Sequence, residues 1–247
     1  MERAALQRAV DHSPWREAEL VAAREETATA RTLRFDVPGW PGHLAGQHVD
    51  LRLTAEDGYT AQRSYSLSAP ADDSSIEVTV QLVPDGEVSP YLVEDMQTGD
   101  VLEVLGPVGG WFVWRPEAAE SVLLIGGGSG VAPLWAMWQA RAAAKAAAAA
   151  RLLYSVRTPR DVLFASDLLG APGIEVLYTR QTPPGAARPP HRIDVADLDV
   201  HGLPAETEPT CYVCGPTPFV ESVIEMLINA GHDPSRVRAE RFGATGG

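Results

Sequence analysis

The sequence predicts two domains, an antiparallel β-barrel in its first half and an α/β domain on a parallel sheet in its second. Three observations carry this. From Leu20 to Pro107, short β-rich runs alternate with turn signals. Beyond Pro116 the pattern changes to strand, helix, strand, helix, which requires parallel pairing. At 247 residues the chain also exceeds the commonest domain size.

In the first half, strands are expected at Leu33 to Val37, Gln47 to Thr54, Arg63 to Ser68, Ile76 to Val83 and Val101 to Leu105. Pro38-Gly39, Asp57-Gly58 and Asp85-Gly86 punctuate them, and several short strands at such spacing suggest a barrel or sandwich. The boundary is placed at Pro116, giving domains of residues 1–116 and 117–247. In the second half, strands are expected at Val122 to Ile125, Arg151 to Val156, Ile174 to Tyr178 and Cys211 to Val213. Helices are expected at Val131 to Ala149, Arg160 to Leu168 and Thr217 to Ala230, the first extended by the alanine run from Ala142.

Composition excludes several classes. With 45% hydrophobic and 21% charged residues the chain reads as an ordinary globular protein. A formal net charge of −13 opposes binding to nucleic acid or an anionic membrane surface. Ser121 to Ala140 is long and free of charge, but its glycines and Pro133 divide it into a buried strand and a helix rather than a membrane span. Met1 to Trp15 does not resemble a secretory signal, so a cytoplasmic location is expected.

The cysteines Cys211 and Cys214 have C-x-x-C spacing. On a strand this spacing puts the side chains on opposite faces and the Cα atoms roughly 10 Å apart, too far for a disulfide. Two cysteines are also too few for an iron–sulfur cluster. The six histidines show no short ligand spacing, and no metal site is expected.

Two segments suggest nucleotide chemistry. Gly126-Gly127-Gly128-Ser129-Gly130-Val131-Ala132-Pro133 lies between an apolar strand and a helix, where glycines and helix N–H groups can cradle an anion. Taken alone it fits a nucleotide loop and a ligand-free turn equally, since Val131 stands where the dinucleotide fingerprint places glycine or alanine. Arg63-Ser64-Tyr65-Ser66-Leu67-Ser68 puts a cation, an aromatic ring and hydroxyls on one strand. Such a set suits a phosphate and a planar ring, although taken alone an ordinary polar strand explains it better.

Taken together, Gly46-Gln47, Arg63-x-Tyr65-Ser66, Gly86-x-Val88-Ser89, Gly106-Pro107-x-Gly109, the Gly126 loop and Cys214-Gly215-Pro216 resemble, in their order, the ferredoxin-NADP reductase superfamily of flavoproteins. The resemblance runs roughly from Ala18 to Phe242. It implies an FAD-binding barrel followed by a Rossmann-like NAD(P)-binding domain. It further implies that Arg63 and Ser64 face the flavin pyrophosphate, that Tyr65 stacks on the isoalloxazine, and that Ser66 lies by the reactive ring nitrogen. Gly86, Val88 and Ser89 would receive the same pyrophosphate. Gly128, Ser129, Gly130 and Pro133 would receive that of the nicotinamide cofactor. Cys214, Gly215 and Pro216 would shape the nicotinamide pocket, with Glu240 handling protons and Phe242 contacting the ring. Ser66, Cys214 and Glu240 are thus the expected catalytic residues.

Ser155, Arg157, Thr179 and Arg180 lie at neighbouring strand ends where an NAD site would offer an acid. Arginine and hydroxyl there favour the 2′-phosphate of NADPH, with NADH possible. The implied activity is hydride transfer from NADPH to FAD and electron delivery to a separate acceptor. That acceptor would be a ferredoxin, a Rieske protein, a flavodoxin, an oxygenase or a small molecule, because the cysteines of a fused ferredoxin domain are missing. A non-catalytic FAD-holding or nucleotide-sensing subunit is the alternative.

Overall fold

The computed structural model describes residues 14–242, so most of the Met1 to Trp15 segment and all of residues 243–247 lie outside them. The chain divides into two compact units. One takes the chain up to Arg115 together with Trp135–Ala140, and the other takes Pro116–Leu134 and the chain from Arg141.

The first unit is a six-stranded antiparallel sheet of β1 (Arg16–Thr27), β2 (Ala30–Asp36), β3 (His48–Thr54), β4 (Thr60–Ser66), β5 (Ser75–Gln81) and β6 (Val101–Val108), in the order β4-β3-β6-β1-β2-β5. An antiparallel bridge from Leu67 to Val78 joins its two edges just beyond β4, closing the barrel. Alternate residues point inward, so Leu33, Phe35, Val49, Leu51, Ile76, Val78 and Val104 form a solvent-free core. Strand β1 is absent from the expected set. Only Ala18 and Leu20 of its twelve residues are buried, and its charged outer positions hide the alternation.

The second unit is a parallel sheet of β7 (Val122–Gly127), β8 (Ala150–Val156), β9 (Ile174–Tyr178), β10 (Thr210–Pro216) and β11 (Val237–Phe242), ordered β11-β10-β7-β8-β9. Its helices are α1 (Val131–Ala143), α2 (Ala165–Leu168), α3 (Val195–His201) and α4 (Thr217–Asn229). Strand β7 is buried throughout, as expected of a central parallel strand covered on both faces. The chain runs outward from β7 through β8 to β9 and then returns to β10 on the other side of β7. The gap between the ends of β7 and β10 is therefore the topological switch point, where open α/β sheets bind ligands.

Helix α1 stops at Ala143, short of the expected Ala149. Lys145 turns the chain with φ +51°, and the Arg141 guanidinium donates to the Ala148 carbonyl at 2.7 Å, because β8 must start at Ala150 to pair with Val122. Pairing thus overrides alanine propensity. The expected Arg160 to Leu168 helix is a 3₁₀ turn, Pro159–Asp161, and one α turn, interrupted at Phe164 (φ +54°). Strand β11 and helix α3 were not expected. Three of the six residues of the first are charged, and the second is marked only by an Asp194/Asp197 capping box. Among the described residues, no helix is long and apolar enough to cross a membrane.

Candidate functional site

In the first unit the site residues sit on β4 and the loop after β5. Pairing of β4 with β3 sets Arg63 opposite Leu51, Tyr65 opposite Val49 and Ser66 opposite His48. Arg63 and Tyr65, two apart, share one face; Ser64 and Ser66 lie on the other. Tyr65 is half-buried against the barrel core, and burial pushes its phenol up to about 12, so it is a neutral planar ring at any working pH. Ser64 hydrogen-bonds to Asp50, and Ser66 is 7% exposed.

The Arg63 guanidinium donates to the Gln62 carbonyl at 2.7 Å and to the Glu87 carboxylate at 2.8 Å. The same carboxylate accepts from the Tyr59 hydroxyl at 2.6 Å, and these two hydrogen bonds hold it below the usual carboxylate range. Arg63 therefore already holds an anion, in the geometry a phosphate oxygen would use. Glu87 belongs to the Gly86-Glu87-Val88-Ser89 loop. Val88 and Ser89 are buried, and the Ser89 hydroxyl accepts from the Val83 N–H at 3.0 Å. The helix that follows is only a π-helical turn, Tyr91–Asp95, fastened by Arg31 donating to the Met96 carbonyl at 2.8 Å. Gln47 clamps the neighbouring loops, accepting from Leu44 N–H and donating to Gly109 O, both at 2.7 Å. Tyr59, Glu87 and Gln47 are missing from the expected site. Glu87 and Gln47 occupy positions within or beside the quoted motifs.

In the second unit, the loops at the switch point interlock. A Cβ on Gly130 would lie 2.3 Å from the Cys214 carbonyl oxygen, and one on Gly127 or Gly215 would meet the Phe219 ring at 2.8 or 2.9 Å. These glycines are explained by loop-on-loop packing. Gly128 differs: it has φ +57° and nothing within 4 Å, so it leaves open space before the first turn of α1. Ser129 beside it is half-buried and Pro133 lies buried in that first turn, so of the expected cradle Gly128 and Ser129 are the accessible part. Phe219, which the motif reading left out, shapes both loops.

Cys214 is fully buried and pairs across the parallel ladder with Gly126 on one side and Glu240 on the other. Burial, then the Glu240 charge, raises its thiol well above the ordinary value, so it stays protonated. Burial also raises the Glu240 carboxyl to about 7. Phe242 ends β11 opposite Pro216, which is exposed. Cys211 and Cys214 are both free thiols. Cys211 lies at the opposite end of β10 from the switch point, 3.6 Å from His232 Nδ1.

Strands β8 and β9 carry the expected 2′-phosphate residues to one place. Thr179 N–H donates to Val156 O at 2.8 Å and Arg180 N–H to Arg157 O at 2.9 Å, so the two arginines are backbone neighbours. Both are exposed, and neither has an ion-pair partner among the described residues. Ser155, just before them, is buried. Among the described residues, one group has metal-ligand proximity, His191, Asp194 and Asp197. Arg188, however, grips both Asp197 oxygens at 2.6 and 2.7 Å, and Asp194 caps α3, so a cation would have to displace a guanidinium.

The chain matches two family models, an oxidoreductase FAD-binding domain over residues 17–113 and an oxidoreductase NAD-binding domain over residues 124–225. A glycine betaine monooxygenase reductase subunit of Chromohalobacter salexigens is 34% identical over 231 residues, covering 90% of this chain and 62% of its own. The ferredoxin reductase component of a Rhodococcus rhodochrous 3-ketosteroid-9-alpha-monooxygenase is 32% identical, covering 92% and 64%. The chain thus spans less than two thirds of these relatives. Among solved structures, an Amycolatopsis cytochrome P450 reductase is similar with TM-score 0.79 and 25% identity, covering 95% of this chain and 72% of that one. The ferredoxin reductase in carbazole 1,9a-dioxygenase gives 0.78 and 27%, covering 93% and 69%. The six-stranded antiparallel unit is the FAD-binding domain and the five-stranded parallel unit the NAD-binding domain, and the chain belongs to the ferredoxin-NADP reductase superfamily.

Proposed function

We propose that this chain is an NADPH-dependent, FAD-containing reductase, located in the cytoplasm, that passes electrons to a separate acceptor, an oxygenase component in the first instance. One observation carries the reading: a single chain holds an FAD-binding and an NAD-binding domain in order. The Arg63 guanidinium gripping a carboxylate and the adjacent Arg157 and Arg180 support the anion sites proposed below. The relatives named as reductase components of monooxygenases support the choice of acceptor. When bound, the flavin supplies the chemistry of accepting a hydride and releasing electrons one at a time.

The chain's residues bind and orient. In residues 1–116, Arg63 with Gly86, Val88 and Ser89 holds the flavin pyrophosphate, while Ser64, whose hydroxyl is turned to Asp50 on the other face, contributes through its backbone; Tyr65 covers the ring with a neutral aromatic face, and Ser66 offers a hydroxyl at the strand end. In residues 117–247, Gly128, Ser129 and Gly130, in the turn before α1, receive a second pyrophosphate with Pro133 in the first turn of the helix. Ser155, Arg157, Thr179 and Arg180 take the adenosine end, where two unpaired guanidiniums suit a phosphate dianion better than a bare ribose. Cys214, Gly215, Pro216 and Phe242 border the nicotinamide. Glu240 holds a proton at its carboxyl near neutral pH, and Cys214 remains an uncharged thiol that leaves the pocket apolar.

The test is a turnover assay of purified, FAD-loaded protein with an artificial electron acceptor. NADPH oxidation at many turnovers per flavin is expected. Flavin binding without turnover would leave only a non-catalytic carrier.

A further inference from the structure

Resting on the reading that the barrel holds FAD, we infer that Glu87 competes with the flavin pyrophosphate for the Arg63 guanidinium and so sets how tightly the flavin is held. Three side chains carry this by their geometry. Glu87 Oε2 accepts from Arg63 Nη2 at 2.8 Å while its Oε1 accepts from the Tyr59 hydroxyl at 2.6 Å. Tyr59 and Arg63 both belong to the β3–β4 hairpin, whereas Glu87 comes from the loop after β5. The carboxylate therefore bridges the two segments that the proposed site uses for one phosphate, and it presents two oxygens much as a phosphate would.

Arg63 also donates to its neighbour's carbonyl, Gln62 O at 2.7 Å, which orients the guanidinium and leaves Nη2 as the group directed to an anion. A diphosphate approaching Nη2 meets a like charge already there. Binding then requires that the carboxylate swing away, or that it stay at the cost of repulsion across a few ångströms. Both the arginine and the glutamate are partly exposed, with side-chain accessibilities of 35% and 48%, so the exchange is cheap and reversible. Glu87 thus acts as a built-in weak anion that lowers flavin affinity without blocking the site. Its neighbour Val88 is fully buried, which fixes the loop, so movement falls to the glutamate side chain.

The discriminating variant is Glu87→Gln, which keeps the shape and can still meet Tyr59 but removes the charge. FAD and riboflavin, which has the ring and no phosphate, are titrated into flavin-stripped wild-type and variant protein, and flavin fluorescence is read. An exposed pair of this kind together with the relieved repulsion corresponds to FAD binding roughly 3- to 10-fold tighter in the variant. Riboflavin affinity should stay the same. FAD affinity that is unchanged or weaker in Glu87→Gln overturns the inference and makes Glu87 neutral or a positioning residue. Equal tightening of riboflavin also overturns it, since the effect would then not act through phosphate. Wild-type protein that binds neither flavin overturns the FAD reading itself, a distinct result.

Discussion

Gly130→Ala is the sharpest structural test of the switch-point geometry. The added Cβ would lie 2.3 Å from Cys214 O, 2.5 Å from Cys214 C and 2.7 Å from Gly215 N, all backbone atoms at the end of a central strand. No side chain can rotate away, so β10 must separate from the glycine loop, at a cost of about 3 kcal/mol, the upper end for overpacking. Gly128→Ala is the control, with no atom within 4 Å but a φ of +57°. Its cost is the left-handed strain alone, about 1 kcal/mol. With about 2–4 °C lost per kcal/mol, Gly130→Ala should lower the melting temperature of the second unit by roughly 6–12 °C and Gly128→Ala by roughly 2–4 °C. Thermal unfolding followed by circular dichroism reads this directly. A Gly130→Ala protein that melts with wild type, or above Gly128→Ala, would refute the interlocked-loop explanation of these glycines.

Arg157→Ala removes one of two adjacent cations and should lower kcat/KM for NADPH by roughly 10- to 100-fold while leaving that for NADH within about twofold; an unchanged cofactor ratio argues against the 2′-phosphate assignment. Arg188→Met strips a fork from a mostly buried Asp197 and should destabilise the second unit by about 2–3 kcal/mol in urea unfolding, and a loss under 0.5 kcal/mol would show the pair to be idle. Glu240 has its folded-state carboxyl raised to about 7, above the ordinary 4.5, so the folded form binds its proton more tightly than the unfolded form. Its contribution to stability is therefore full below about pH 4.5 and lost as pH rises to about 7, by up to about 3 kcal/mol. Glu240→Gln should flatten this slope, and identical pH–stability curves for variant and wild type would contradict it.

The β/turn punctuation of the first half and the strand–helix alternation of the second were legible because hydrophobic period and turn residues agree with the tertiary fold there. Strand β1 was not, since its outer positions from Glu17 to Glu25 are charged residues, alanines and an exposed Val21, and only Ala18 and Leu20 reach the core. The end of α1 was not legible either, because the position of Ala150 is set by pairing with Val122, a long-range constraint that local alanine propensity cannot report. At the candidate site, the motifs pointed to Arg63, Gly128 and Cys214. The role of each glycine could not be read from the motif: Gly127, Gly130 and Gly215 are small because loops and Phe219 press on them, while Gly128 alone is open. Tyr59 and Glu87 escaped notice because a carboxylate shared between a hairpin and a distant loop leaves no local pattern.

In the proposed reaction, one chain moves reducing equivalents from NADPH to a flavin it holds. Anaerobic mixing of the FAD-loaded protein with NADPH, followed by absorbance in the flavin band, tests it most directly. Rapid bleaching of the band, faster with NADPH than with NADH, is the predicted result. A band that persists with both nicotinamides, or a protein that retains no flavin, would contradict hydride transfer from NADPH to a flavin held by this chain.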